Sequence, residues 1–258
     1  MAHHKRFPRR ILLFTDFGES GPYTGQMEAV LDANGVVVPT IRLMSDAPCC
    51  NPRASAYLLA AIARYQPAQT LFLSVVDPGV GGERAALLVE TEEHWFIGPD
   101  NGLLSQVVKS SREIRVNVIQ WRPQSLSDSF HGRDLFAPVA ASCARGEPLA
   151  MQLTTPSDMV GAEWPEDLAE VIYIDHYGNA FTGIRGTTLA DDARLSVGAR
   201  SLSYARTFSA AVGDRPFWYR NSLGLVEIAV NRGRADQLLG LAIGVAIGVV
   251  PGKVPPVT

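Results

Sequence analysis

The chain has 258 residues, of which 47% are hydrophobic and 19% charged, with a net charge of −3. This is enough apolar material for one large domain or two modest ones. The balanced charge, with no basic or acidic block, argues against a nucleic-acid partner or an interaction tail.

Met1 to Arg10 is basic and polar, and no apolar signal-peptide core follows it. His3-His4 are given no role. Arg10 to Phe14 is a compact apolar run that reads as a buried strand, ending in Thr15-Asp16-Phe17-Gly18. Tyr23 to Leu31 has helical spacing, closed by Asn34-Gly35. Val36 to Leu43 reads as a strand, Pro52 to Tyr65 as an Ala/Leu-rich helix, and Thr70 to Val76 as a buried strand that delivers Asp77. Ala85 to Glu90 and His94 to Ile97 read as short strands, and Phe136 to Arg145 as a helix.

Strands alternating with helices predict an α/β domain with a central, mostly parallel sheet over residues 1–160. Pro and Gly residues with little apolar periodicity at 146–165 mark a boundary. From Glu170 onward, short runs separated by turns (171–174, 181–184, 225–230, 242–250) predict a smaller all-β, barrel-like domain over 166–258. The longest apolar stretch, Leu238 to Val250, is broken by Gly240, Gly244 and Gly248. A membrane span needs about 20 residues, so this stretch reads as one or two buried strands, and no membrane partner is expected. Three cysteines (Cys49, Cys50, Cys143) make no disulfide framework; a reduced, cytoplasmic chain is expected.

Several polar residues sit beside glycines at the ends of apolar runs, where α/β folds place chemistry. Asp16 can accept two hydrogen bonds from a vicinal diol, or simply cap the following segment. Asp77 in Asp77-Pro78-Gly79-Val80-Gly81 is either functional or a turn former. Arg84 can return to the same loop or lie in solvent. His131, in Phe130-His131-Gly132-Arg133-Asp134, is either structural or the third member of a polar cluster able to hold and polarise water. Tyr177 and Asn179 offer a stacking face and an amide edge suited to a purine; the alternative is a hairpin turn at Gly178-Asn179. The segment around Asn221 and Ser222 can hold a small carboxylate or form a turn. A metal-dependent phosphoesterase using Asp16, Asp77, Asp100, Asn101 and His131 is a further alternative, although no characteristic ligand spacing supports it.

These segments together resemble the S-adenosyl-L-methionine (SAM) hydroxide adenosyltransferases, SAM hydrolases that form adenosine and are related to the fluorinase and chlorinase enzymes. The resemblance rests on Thr15-Asp16-Phe17-Gly18, Val75 to Gly81, Gly98-Pro99-Asp100-Asn101-Gly102, Phe130 to Asp134, Tyr177-Gly178-Asn179 and Asn221-Ser222, which occur in order along the chain. It implies displacement at the ribose C5′ of SAM with release of methionine, no cofactor or resident metal, and a homotrimer with active sites between subunits. It also implies that Asp77, Arg84 and His131 hold the attacking water, Asp16 the ribose, Tyr177 and Asn179 the adenine, and Asn221 and Ser222 the methionine carboxylate. The halogenating relatives carry a Tyr at the position of Asp77, a Tyr-Ser pair at His131-Gly132 and a Thr at Val80. An anionic Asp77 disfavours a halide by like-charge repulsion. A halogenase and a non-catalytic adenosine- or SAM-binding protein are the remaining alternatives. The chain departs from the family at Gly21, where an Asp contacts the methionine amino group, and at Pro48-Cys49-Cys50-Asn51-Pro52.

Overall fold

The computed structural model describes residues 7–252, so most of the basic N-terminal segment, with His3 and His4, lies outside the described residues. The chain divides into two compact units, Met1–Trp164 and Pro165–Thr258.

The first unit runs β1 (Arg10–Thr15), α1 (Tyr23–Ala33), β2 (Thr40–Met44), α2 (Pro52–Ala63), β3 (Thr70–Val75), β4 (Ala86–Thr91), β5 (His94–Pro99), α3 (Ser105–Ser110), β6 (Ile114–Ile119), α4 (Ala137–Arg145) and β7 (Met151–Thr154). Its seven strands form one sheet in the order β2-β1-β3-β5-β4-β6-β7. β1 and β3 are buried almost end to end, which explains their unbroken apolar sequences. Ile11, Leu13, Leu71, Leu73 and Ile97 from the sheet pack with Met27, Leu31, Val139 and Ala140 from the helices. α2 starts where the Asn51 side chain accepts a hydrogen bond from the Ala54 amide at 3.0 Å, with Pro52 in the first helical turn.

The sheet is mixed, not mostly parallel. β1 pairs parallel with β2 and β3, and β3 parallel with β5, but the β5–β4, β4–β6 and β6–β7 pairings are antiparallel. Only Glu92 and Glu93 separate β4 from β5, too short a link for the crossover a parallel pair requires. Thr91 closes that turn, accepting from the His94 amide at 3.0 Å and donating to the His94 carbonyl at 3.1 Å.

Three local expectations change. Val36 to Pro39 is a return loop, and the strand begins only at Thr40. α3 and β6 are additional elements. β7, in the stretch read as a boundary, is an edge strand of the first sheet; its mostly exposed residues carry little apolar signal.

The second unit runs β8 (Leu168–Ile174), β9 (Ala180–Arg185), β10 (Arg194–Val197), β11 (Arg200–Tyr204), β12 (Phe217–Arg220), β13 (Leu225–Ala229), α5 (Ala235–Leu239) and β14 (Gly248–Val250). The sheet order is β14-β10-β11-β12-β13-β9-β8. The segment entering β14 also bonds the opposite edge: Gly244 N donates to Val171 O at 2.8 Å, Val171 N to Val245 O at 2.9 Å and Ile247 N to Ala169 O at 2.8 Å. The sheet therefore curls into a half-barrel around Val171, Ile184, Leu195, Trp218, Val226 and Ile228. Leu238 to Val250 is not a pair of buried strands. Gly240, at φ +63°, ends the short helix α5, and only Gly248–Val250 is a strand, exposed along its length. Among the described residues no helix is long and apolar enough to cross a membrane.

Candidate active site

The chain runs from β1 through α1 to β2 on one side of β1, then returns through α2 to β3 on the other. The crevice beyond the ends of β1 and β3 is thus a topological switch point, where open α/β sheets bind ligands. Thr15 pairs with Val75, so Asp16 and Asp77 leave adjacent strands at almost the same level. Asp16 is half-buried, and its Oδ2 accepts a hydrogen bond from the Cys50 amide at 2.8 Å. Burial raises its pKa above the ordinary carboxylate value, the Cys50 amide opposes this, and the nearby Asp77 adds to it.

The Asp77 side chain is only 4% exposed. Arg84 Nε donates to its two oxygens at 2.9 and 3.0 Å, and Arg84 Nη2 also donates to Oδ2. Arg84 lies over the Phe136 ring, 5.2 Å from its centroid. The intervening loop depends on Gly81, at φ +81°, where a Cβ would sit 2.3 Å from the Asp128 carbonyl oxygen. Only glycine lets the Asp77 loop lie against the segment that leads to Phe130 and His131.

His131 precedes a single π-helical turn, Gly132–Phe136, that opens into α4; such wide turns recur at functional sites. Arg84 Nη2 lies 2.9 Å from His131 Nδ1. A guanidinium only donates, so Nδ1 is the acceptor and the imidazole proton sits on Nε2. Burial first, then Arg84, lowers the His131 pKa below its usual value, which keeps the ring neutral. One guanidinium thus fixes a carboxylate and an imidazole together.

Asp16, Asp77 and His131 line a cavity of about 190 Å³ with Cys50, Val80 and Phe130. Arg84 stands behind Asp77 and His131 rather than on the cavity wall, which makes it a positioning residue. Phe17, Tyr23 and Phe130 form an aromatic cluster with centroid separations of 5.3 to 5.9 Å. The other polar residues of the loop motifs have structural tasks. Arg133 pairs with Asp134 and reaches Gln26 at 2.9 Å. Asp100 accepts from the Val160 amide at 3.0 Å, and Asn101 donates to the Val76 carbonyl at 2.9 Å, pinning the residue before Asp77. Of the five donors of the metal reading, Asp16, Asp77 and His131 share the cavity while Asp100 and Asn101 are engaged with backbone groups, and a guanidinium holds the Asp77 carboxylate where a metal would be needed.

In the second unit, Tyr177 is 73% exposed and Asn179 is buried. Asp175 fixes Asn179, accepting from its amide N at 2.8 Å and from Nδ2 at 3.1 Å. Both line an open cavity of about 630 Å³ with Phe208, Tyr219, Arg232 and Arg234. Asn221 is committed to its own turn: Oδ1 accepts from the Leu223 and Leu225 amides at 3.0 and 2.9 Å, while Nδ2 donates to Glu227 Oε2 at 2.9 Å. Ser222 is exposed. Sequence reasoning missed Glu227, which is 2% exposed, receives a hydrogen bond from the Tyr219 hydroxyl and is pushed by burial up to about 7. A charged residue inside the apolar run 225–230 was its available signal. Cys49 and Cys50 stand out in the sequence only as a departure from the family; the folded chain brings both sulfurs to the Asp16 carboxylate.

Residues 11–152 match the SAM hydroxide adenosyltransferase N-terminal domain family, and residues 169–248 match the corresponding C-terminal domain family. The chain is 34% identical over 241 residues to the (R)-S-adenosyl-L-methionine hydrolase of Salinispora arenicola, an alignment covering 88% of this chain and 92% of that protein. It is 32% identical over 253 residues to the protein of the same name from Thermus thermophilus, covering 90% and 96%. Among solved structures, an uncharacterized conserved protein from Thermotoga maritima superposes with a TM-score of 0.82 at 29% identity, covering 93% of this chain and all of that one. A conserved hypothetical protein from Thermus thermophilus superposes with a TM-score of 0.75 at 32% identity, covering 94% and 100%.

Proposed function

The chain belongs to the SAM hydroxide adenosyltransferase family, and we propose that it hydrolyses SAM to adenosine and L-methionine by displacement at the ribose C5′. The observation that carries this reading is the Arg84 bridge, which faces one carboxylate and one neutral imidazole into the cavity at the ends of β1 and β3.

A sulfonium leaves as a neutral thioether, so no general acid is required. The difficulty is the nucleophile, since water is weak and C5′ is saturated. The site must hold an oxygen in line with the C5′–S bond at about 3 to 3.5 Å and exclude other water. With Nδ1 occupied by Arg84, His131 offers Nε2–H, which grips the oxygen as a donor. Asp77 is then the proton acceptor. Arg84 orients the Asp77 carboxylate and steadies the charge that develops on the oxygen. The Asp77 carboxylate also repels chloride and fluoride, which supports hydrolysis over halogenation.

Asp16 receives the ribose diol, and Tyr177 and Asn179 the adenine. Asn221 shapes the turn that presents Ser222 and its neighbouring amides to the methionine carboxylate. The reading includes a homotrimer in which the second unit of one subunit completes the site of the next, and a cytoplasmic location, supported by three cysteines free of disulfides. No cofactor or resident metal enters the mechanism.

Incubation with SAM, followed by chromatography, tests the reaction: adenosine and methionine appear in equal amounts. In H₂¹⁸O the label enters the adenosine 5′-hydroxyl. Unlabelled adenosine would rule out direct attack by solvent water, and chloride-dependent 5′-chloro-5′-deoxyadenosine would establish the halogenase instead.

A further inference from the structure

Cys49 and Cys50 are adjacent in sequence, both exposed, and their sulfurs lie 3.7 Å apart. Cys50 adopts φ +53°, a left-handed conformation uncommon for a residue with a side chain. In that conformation its amide bonds Asp16 while its side chain forms part of the cavity wall. The two sulfurs and an Asp16 carboxylate oxygen all lie within 4.8 Å of one another. A thiol–thiol hydrogen bond accounts for the sulfur contact alone. It does not account for a carboxylate joining the pair at the mouth of a cavity.

The spacing fits a metal. Zinc held tetrahedrally by two thiolates at about 2.3 Å separates the sulfurs by about 3.8 Å, and a sulfur from a carboxylate oxygen by about 3.6 Å. The sulfurs already stand at the first distance, and each lies within 4.8 Å of the carboxylate oxygen. Two sulfurs and one oxygen form a donor set for soft or borderline divalent cations rather than for magnesium or calcium, and the cavity side leaves a fourth position open.

We propose that Cys49, Cys50 and Asp16 form a binding site for a soft divalent cation of the zinc class, in which the metal takes the carboxylate that would otherwise receive a ribose. Binding forms two metal–sulfur bonds and one metal–oxygen bond, and releases two thiol protons to solvent. The metal is an inhibitor here and has no part in the displacement chemistry. The competition with ribose rests on the functional reading above; the metal site itself does not.

The test titrates the full-length chain with CdCl₂ and follows the ultraviolet thiolate-to-cadmium charge-transfer band, which histidines do not produce. The expected result is saturation at one equivalent with release of two protons. Cys49→Ser lowers the cadmium affinity at least tenfold, whereas Cys143→Ala, in α4, leaves the titration as it was. Asp16→Asn weakens cadmium binding with both thiols present, and millimolar adenosine raises the apparent dissociation constant for cadmium. The site is overturned by absence of the band or by an unchanged titration in Cys49→Ser. Asp16 is overturned as the third ligand if Asp16→Asn binds cadmium normally. A Cys49-dependent band in a protein that neither binds adenosine nor turns over SAM would leave the metal site standing and defeat the functional reading instead.

Discussion

Arg84 donates to Nδ1 of His131 at 2.9 Å while the same guanidinium grips both oxygens of Asp77. This contact fixes the histidine tautomer, and among the described residues no hydrogen-bond partner occupies Nε2, which leaves it to the cavity that His131 lines. It also divides the labour, because a ring that already accepts at Nδ1 and carries its proton on Nε2 holds water as a donor, leaving proton acceptance to Asp77.

The first consequence is a pH profile. Protonation of His131 puts a hydrogen on Nδ1 and breaks the bond to Arg84, so activity is lost as pH falls through the His131 pKa. Burial and Arg84 place that pKa below its reference value of 6.5. The acid limb of kcat/KM therefore has its midpoint below pH 6.5, and His131→Gln removes that limb from whatever activity remains. A midpoint above pH 6.5 in the wild-type enzyme would show that Arg84 does not face a neutral ring.

Removing either cavity-facing partner separates binding from chemistry. Asp77→Ala and His131→Ala lower kcat by about 100- to 10,000-fold, the range expected for a general base or its positioning partner. Adenosine affinity, measured calorimetrically, changes by less than about threefold, because neither group is assigned to the nucleoside. Near-wild-type turnover in either variant would remove that residue from the mechanism.

Gly81 offers a test outside the cavity. In Gly81→Ala the new methyl would sit 2.3 Å from the Asp128 carbonyl oxygen, at a φ of +81° that L-residues disfavour. The Asp77 loop must shift away from the strand-to-helix segment that carries His131. The expected cost is about 1–3 kcal/mol in urea unfolding, accompanied by a fall in kcat larger than the rise in KM. Gly79→Ala, where a Cβ meets nothing within 4 Å, is the control and keeps both properties.

Asp16 and Asp77 stood out in sequence because each follows an apolar run and precedes a glycine, the local pattern of a strand-end loop, whereas His131 stood out only by its place between Phe130 and Gly132 and in fact opens a helical turn. The position of Arg84 behind two partners was not legible, because a seven-residue excursion can end anywhere until Gly81 packs on Asp128. The parallel half of the first sheet was legible from β1, α1, β2, α2 and β3 in succession. Its antiparallel half was legible only at the short β4–β5 link, which excludes a parallel crossover; β6 and the exposed β7 gave no such signal. Leu238 to Val250 misled because apolar composition was read as burial. The segment spends its backbone bonds closing the half-barrel while most of its side chains stay near the surface.

Glu227 carries the last prediction. It is 2% exposed in the middle of β13 and accepts from the Tyr219 hydroxyl and from Asn221 Nδ2. Burial nonetheless dominates and raises its pKa from 4.5 to about 7. A carboxyl whose folded pKa exceeds its unfolded value binds more protons when folded. Its stabilisation is complete below pH 4.5 and is lost as pH rises toward 7, a change of about 3 kcal/mol from the size of the shift. Glu227→Gln keeps the shape and the bonds, because its amide oxygen can accept from Asn221 and its NH₂ can donate to the Tyr219 oxygen. The pH-dependent part disappears with the charge. Calorimetric melting of wild type and variant between pH 5 and 7.5 isolates the effect: the wild type loses stability relative to Glu227→Gln as pH rises, by several degrees across the interval. Parallel pH dependences in the two proteins would mean that Glu227 stays ionised in the fold and that its two hydrogen bonds outweigh its burial.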